Sequence, residues 1–116
     1  MVTAAQIAKL ALAMPEVVQK AHFEQPDFRV RGKIFVDLSR DGKRATLKLT
    51  PVLQQAAMDS SPDVFSPAPG AWGRAGWTFV ALAHAKRAEL AHLIAEAWRL
   101  VAPKSLVAAA VAAKRV

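Results

Sequence analysis

A chain of 116 residues, 53% of them apolar and none of them cysteine, is long enough to bury one core without disulfides or a structural metal. The lack of cysteine excludes thiol nucleophiles, iron–sulfur clusters and Cys-based zinc sites, and it fits a reducing cytosol. Sixteen Lys and Arg against nine Asp and Glu leave a formal net charge of +7, so a polyanion is a candidate partner, the alternative being an ordinary solvated basic surface.

The segment from Met1 to Met14 reads as an amphipathic helix rather than a signal peptide, because Gln6 and Lys9 interrupt any apolar core. Thr3 and Gln6 make a capping box ahead of Ile7, Leu10, Ala11 and Met14, which share one helical face. Pro15 ends that helix. No apolar run reaches the roughly 18 residues of a membrane span, so a cytoplasmic location is expected.

Val17 to Leu49 reads as strands. Arg31-Gly32 and Asp41-Gly42 are two-residue hairpin turns. Pairing Arg40 with Lys43 sets Leu38 opposite Ala45, Val36 opposite Leu47 and Ile34 opposite Leu49, all on an aliphatic face that should meet helices. The same alternation sets Phe35 opposite Lys48, Asp37 opposite Thr46 and Lys33 opposite Thr50 on the other face. The first turn adds Phe28 opposite Phe35 and Val30 opposite Lys33 there.

Thr50-Pro51 starts a short helix expected to reach about Met58. The stretch from Asp59 to Gly76 is loop-rich in Pro and Gly, with a short strand at Val64-Phe65 and a turn at Gly70 to Arg74. Trp77 to Leu82 reads as a buried strand. From Ala85 to Val101 the apolar stripe Leu90, Leu93, Ile94, Ala97, Trp98, Val101 predicts the clearest helix. After Pro103 an Ala-rich helix should follow, fraying at Lys114-Arg115-Val116. The order predicts a single α+β domain over residues 1–102, with three to four strands, a helix, two strands and a helix after the first helix. Residues 103–116 form a helical tail.

The ordered set Leu12-Ala13-Met14-Pro15-Glu16-Val17, His22-Phe23, Pro26-Asp27-Phe28-Arg29-Val30, Gly32-Lys33-Ile34-Phe35, Leu47-Lys48-Leu49-Thr50-Pro51 and Gly76-Trp77 resembles the MmcQ/YjbR family of small bacterial proteins, across roughly residues 5–101. The resemblance implies a strongly bent antiparallel sheet packed on helices, similar to CyaY/frataxin-like and secretion-chaperone-like domains. It also implies DNA binding through a "double wing" arrangement, which is an analogy at the level of the fold. Two departures stand out: Arg31 occupies a turn position that suits Asn better, and the Ala-rich tail is particular to this chain. A frataxin-like iron site is not expected, since the first helix carries Lys9 and no acidic ridge.

The three histidines, His22, His84 and His92, lie too far apart in sequence to form a helical metal pair, the serines lack a nucleophile-elbow context, and no cofactor is expected. A complete catalytic constellation is not visible. An enzyme would need convergent polar groups, for which His22, Asp37, Lys48 and Trp77 are the candidates. The best functional candidates are basic: Arg29, Arg31, Lys33, Arg40, Lys43, Arg44 and Lys48 around the hairpins, supported by Arg74. Turn tips carrying Arg31 and Arg40 to Arg44 would track phosphates like wings, provided both turns present their cations on one exterior patch. Phe28 and Phe35 beside Lys33 and Lys48 are either a stacking surface for bases or simply core. Trp77 and Trp98 are expected in the core, and Trp72, in a Pro/Gly loop, is a candidate exposed contact. The expectation is a low-specificity DNA-binding monomer or weak dimer. The alternative is a protein-interaction adaptor using the aromatic sheet face or the Trp72 loop.

Overall fold

Both predicted threonine caps open helices in the structure, a computed structural model that describes residues 1–114. Gln6 N–H donates to Thr3 Oγ1 at 3.1 Å and Thr3 N–H to Gln6 Oε1 at 2.9 Å, starting α1 (Ala4–Leu12), which buries Ile7 and Ala11. Leu53 N–H donates to Thr50 Oγ1 at 3.1 Å, and Pro51 takes the first position of α2 (Pro51–Ser60).

The strands are β1 (Val17–His22), β2 (Gln25–Val30), β3 (Lys33–Leu38), β4 (Arg44–Lys48), β5 (Phe65–Pro67) and β6 (Trp77–Ala81). They form one antiparallel sheet in the order β1-β2-β3-β4-β6-β5. The class is therefore α+β, as expected. Gly70 to Arg74 is a short helix, α3 (Gly70–Arg74), where a turn was expected. The long helix α4 (Arg87–Val101) buries Leu90, Leu93, Ile94, Ala97 and Trp98 from the predicted stripe. The tail helix α5 (Lys104–Lys114) lays Leu106, Val107 and Ala110 against the core. Of the expected frayed end, Arg115 and Val116 lie outside the described residues. Among the described residues no helix is long and apolar enough to cross a membrane.

The Arg31-Gly32 turn has φ of 51° and 83°, so Arg31 does adopt the left-handed region that the hairpin demands. Phe23 and Glu24 join β1 to β2 in the same way, with φ of 48° and 65°, at a turn that no Gly or Asn announces. The Asp41-Gly42 turn is wider than a two-residue loop. Gly42 N–H donates to Ser39 O at 3.0 Å and Ser39 N–H to Arg44 O at 2.9 Å, so Arg40 and Lys43 lie in the loop and not in the ladder. The pairs Leu38–Ala45 and Val36–Leu47 nevertheless form as expected.

The expected pair Val30–Lys33 forms, but the register shifts by one residue between Arg29 and Phe28, so the expected pair Phe28–Phe35 does not form. Phe28 pairs with Val36 and Arg29 with Ile34, leaving Phe35 as an extra residue in β3. The bulge transfers Phe28 and Val30 to the helix-facing side and turns Ile34 outward. Phe28, Val30, Phe35 and Val36 are all fully buried. A disturbed ladder costs about 0.5–1.5 kcal/mol per lost hydrogen bond. Burying each apolar side chain contributes about 1.5–3 kcal/mol, and the bulge buries several, so burial wins. Phe28 and Phe35 are core, the second of the two alternatives, and offer no stacking surface.

Candidate functional site

The strand pairing maps the sheet face opposite the buried core as rows across the strands. The central row runs Lys20, Asp27, Asp37, Thr46, Phe79, Ser66. On one side lie Arg29, Ile34, Lys48 and Trp77; on the other His22, Gln25 and Arg44. Carboxylates thus occupy the middle of the face and cations its flanks.

The two central carboxylates have opposite surroundings. Asp27 has no exposed surface. Arg29 clamps it with Nε donating to Oδ1 at 2.7 Å and Nη2 to Oδ2 at 3.0 Å, and His22 Nδ1 stands 2.7 Å from Oδ2. The Arg29 hydrogen bonds hold its carboxyl below the ordinary carboxylate range, against the opposing effect of burial, with His22 assisting. Asp37, its partner on β3, has no ion-pair partner among the described residues. Burial pushes its carboxyl up, and the Thr46 hydroxyl and the charges of His22 and Arg44 only partly offset this.

Asp37 opens into a trough of about 430 Å³, within the roughly 300–1,000 Å³ of small-ligand sites. Ile34, Trp77 and Phe79 form its floor with Thr46, and Ala68, Pro69 and Trp72 form a wall. The wall is held from behind. Gln54, buried on α2, donates from Nε2 to Gly73 O at 3.0 Å and to Trp77 O at 3.1 Å. Gly73 packs so closely on Ala68 that a Cβ would overlap the Ala68 carbonyl oxygen. Gly76, at φ +110°, lets β6 begin directly against the Leu49 carbonyl. Trp72 and Trp77 meet edge to face at 6.1 Å and 70°, and Trp72 is 67% exposed. Trp72, the candidate exposed tryptophan, is exposed. Trp77 is a trough residue instead of core, because β6 turns Thr78 and Val80 inward. Trp98 is core, with its indole N–H donating to Pro15 O at 3.0 Å.

The candidate cations are divided by the fold. The Arg31-Gly32 and Arg40 to Lys43 turns lie at opposite ends of β3, about 20 Å apart at the usual rise per residue, so they do not share a patch. Arg31 is held by Glu16, with Nε donating to Oε1 at 2.8 Å and Nη2 to Oε2 at 3.1 Å. Arg40 Nε donates to Phe23 O at 3.1 Å and its guanidinium stands 3.9 Å from Glu24. Arg29 is spent on Asp27. Lys33 is exposed at the start of β3, and Arg74 is exposed at the end of α3. The open face does bring two of the set onto aromatic rings: Arg44 Cζ lies 4.1 Å from the Phe79 centroid and Lys48 Nζ 5.6 Å from that of Trp77. Lys48 Nζ also donates to Ala75 O at 2.8 Å. Lys43 and Arg44 border a second hollow of about 240 Å³ beside Phe79, with Asp63 and Ser66.

Of the residues named for a pocket, His22, Asp37 and Trp77 line the trough together, and Lys48 lies over Trp77. Phe79, Gln25 and Ile34 were not foreseen as site residues. Alternation from the correct β2–β3 register would have placed Ile34 there, and the pairing of β6 with β4 would have placed Phe79.

Comparison with known proteins agrees with this architecture. No curated protein matches the chain. The crystal structure of Deinococcus radiodurans protein DR2400, described by the family-model domain DUF419, is similar in fold. It has a TM-score of 0.78 and 19% identity, covering 90% of this chain and 82% of that one. The YjbR family model matches residues 12–100, from the end of α1 to nearly the end of α4, and the chain belongs to the YjbR family.

Proposed function

We propose that the protein binds DNA with low sequence specificity, engaging unpaired bases on the open face of the sheet. The observation that carries this is the joint placement of Trp72, Trp77 and Phe79 with Arg44 and Lys48 around one trough. The exposed Trp72 indole stacks on any base, and Arg44 and Lys48, seated over Phe79 and Trp77, displace the counterions of the backbone, the two contributions that give sequence-tolerant binding of single strands. Lys43, next in the chain to Arg44, and Arg74, two residues beyond Trp72, are exposed and add to the cationic fringe, and the net charge of +7 favours encounter with a polyanion. Titrating a labelled single strand and the matching duplex at low and at physiological salt tests the reading. The expected result is tighter binding of the single strand, weakening steeply with salt, together with quenching of tryptophan fluorescence. Absence of binding to either form at low salt overturns it.

A second reading is an adaptor that binds a protein segment, favoured by the exposed Trp72 beside Ala68 and Pro69. Its binding would be apolar in character and nearly indifferent to salt, which separates the two.

A further inference from the structure

Asp37 stands in the middle of the open face without an ion-pair partner among the described residues, with indole and phenyl rings along the same trough. We infer that the trough receives a single unpaired base and that Asp37 reads its edge, giving a local preference for guanine. This rests on the nucleic-acid reading of the same face. An ionised carboxylate offers two acceptor oxygens and no donor. Guanine alone among the bases presents two adjacent donors, N1–H and N2–H, on its Watson–Crick edge. Adenine and cytosine place an acceptor beside their amino group, and thymine flanks its one N–H with two acceptors. Either arrangement sets an oxygen or nitrogen lone pair against the carboxylate.

The neighbouring groups suit the rest of a nucleotide. Trp72, exposed and edge-on to Trp77, leaves an indole face for stacking. The hollow beyond Phe79 carries Lys43 and Arg44 against one carboxylate, Asp63, and receives a backbone phosphate. An alkylammonium ligand, the other chemistry that a carboxylate among aromatic rings would take, is disfavoured, because Arg44 and Lys48 already cover Phe79 and Trp77. Burial of Asp37 adds a signature, since it raises the proton affinity of the carboxyl, so the neutral acid forms at a higher pH than for an exposed aspartate. The neutral acid offers a donor beside an acceptor and matches adenine or cytosine instead.

The test is fluorescence anisotropy of the full chain with short labelled thymidine strands, unmodified or carrying one central guanine, adenine or cytosine, at low salt. The guanine strand should bind about tenfold tighter than the thymidine strand at neutral pH, the scale of one good bidentate base contact. That preference should shrink as the pH is lowered from neutral and the carboxyl takes up a proton. Asp37→Asn and Asp37→Ala should abolish it, bringing the guanine and thymidine strands to one common affinity, and circular dichroism verifies that each variant is folded. Equal affinity for all the strands, with the thymidine strand bound, overturns the inference and leaves the nucleic-acid reading standing. A guanine preference surviving in both folded variants also overturns it. Failure of every strand to bind overturns both.

Discussion

Asp27 and Asp37 are cross-strand partners on β2 and β3, yet their carboxyls are driven in opposite directions. Like charges directly opposite one another on a sheet destabilise it. The face resolves the conflict by giving Arg29 and His22 to Asp27 and leaving Asp37 to the trough. Pairs of titratable groups pushed apart by their surroundings mark functional faces more often than structural ones.

Asp27→Asn should destabilise the fold by about 1–3 kcal/mol at neutral pH, as a clamped charge partner is lost. Because the folded carboxyl lies below its ordinary value, its stabilisation is present above about pH 4 and is lost as the pH falls through the lower folded value. Urea denaturation of both proteins across the acid range should show the difference narrowing there.

Asp37→Asn should behave in the opposite sense. A carboxyl raised by folding contributes stability below the unfolded value and loses it as the pH rises through the folded one. At neutral pH the variant should therefore match or exceed the parent in thermal midpoint, and its advantage should shrink as the pH falls. A parent clearly more stable than the variant at pH 7 would contradict this.

Gly76→Ala should be among the most damaging single substitutions, costing about 3 kcal/mol or more. The added Cβ would overlap the Leu49 carbonyl, and the backbone at φ +110° tolerates no side chain without strain. Because Leu49 N–H also donates to Gly76 O at 3.1 Å, neither segment can retreat without breaking that bond. Loss of soluble, folded protein or a sharp fall in denaturation midpoint is the expected readout.

Arg44→Ala and Arg31→Ala should separate the two ends of β3. Arg44, over Phe79 on the trough rim, should contribute to DNA binding, and its loss should weaken every strand alike and reduce the salt slope by about 1. Arg31, tied to Glu16 at the far end, should leave affinity unchanged. Equal losses from both, measured by anisotropy at several salt concentrations, would move the interface away from the open face.

The elements that follow from local chemistry were legible in the residues alone. Thr3 and Thr50 announce helices because their hydroxyls satisfy first-turn backbone donors that have no partner within the helix. The stripe from Leu90 to Trp98 predicts α4 because its spacing matches one helical face. The Leu38–Ala45 pair follows from side-chain alternation across the turn. The turn at Phe23-Glu24 was not legible, since neither residue is one that prefers a positive φ.

By itself the sequence determined the class of fold, the caps, the long helices, the net charge and the absence of thiol chemistry, all of which depend on residue type and short-range spacing. Only the tertiary structure decided which sheet face is core, which cations are free and where the trough lies. The reason is that these depend on contacts between distant segments: one extra residue at Phe35 exchanges the faces of β2, Glu16 reaches Arg31 across 15 residues, and Gln54 on α2 positions Trp72 and Trp77. A period of two carries no information about a bulge, because the gain that drives it, burial of Phe28, Val30 and Phe35 under the helices, exists only once the helices are in place.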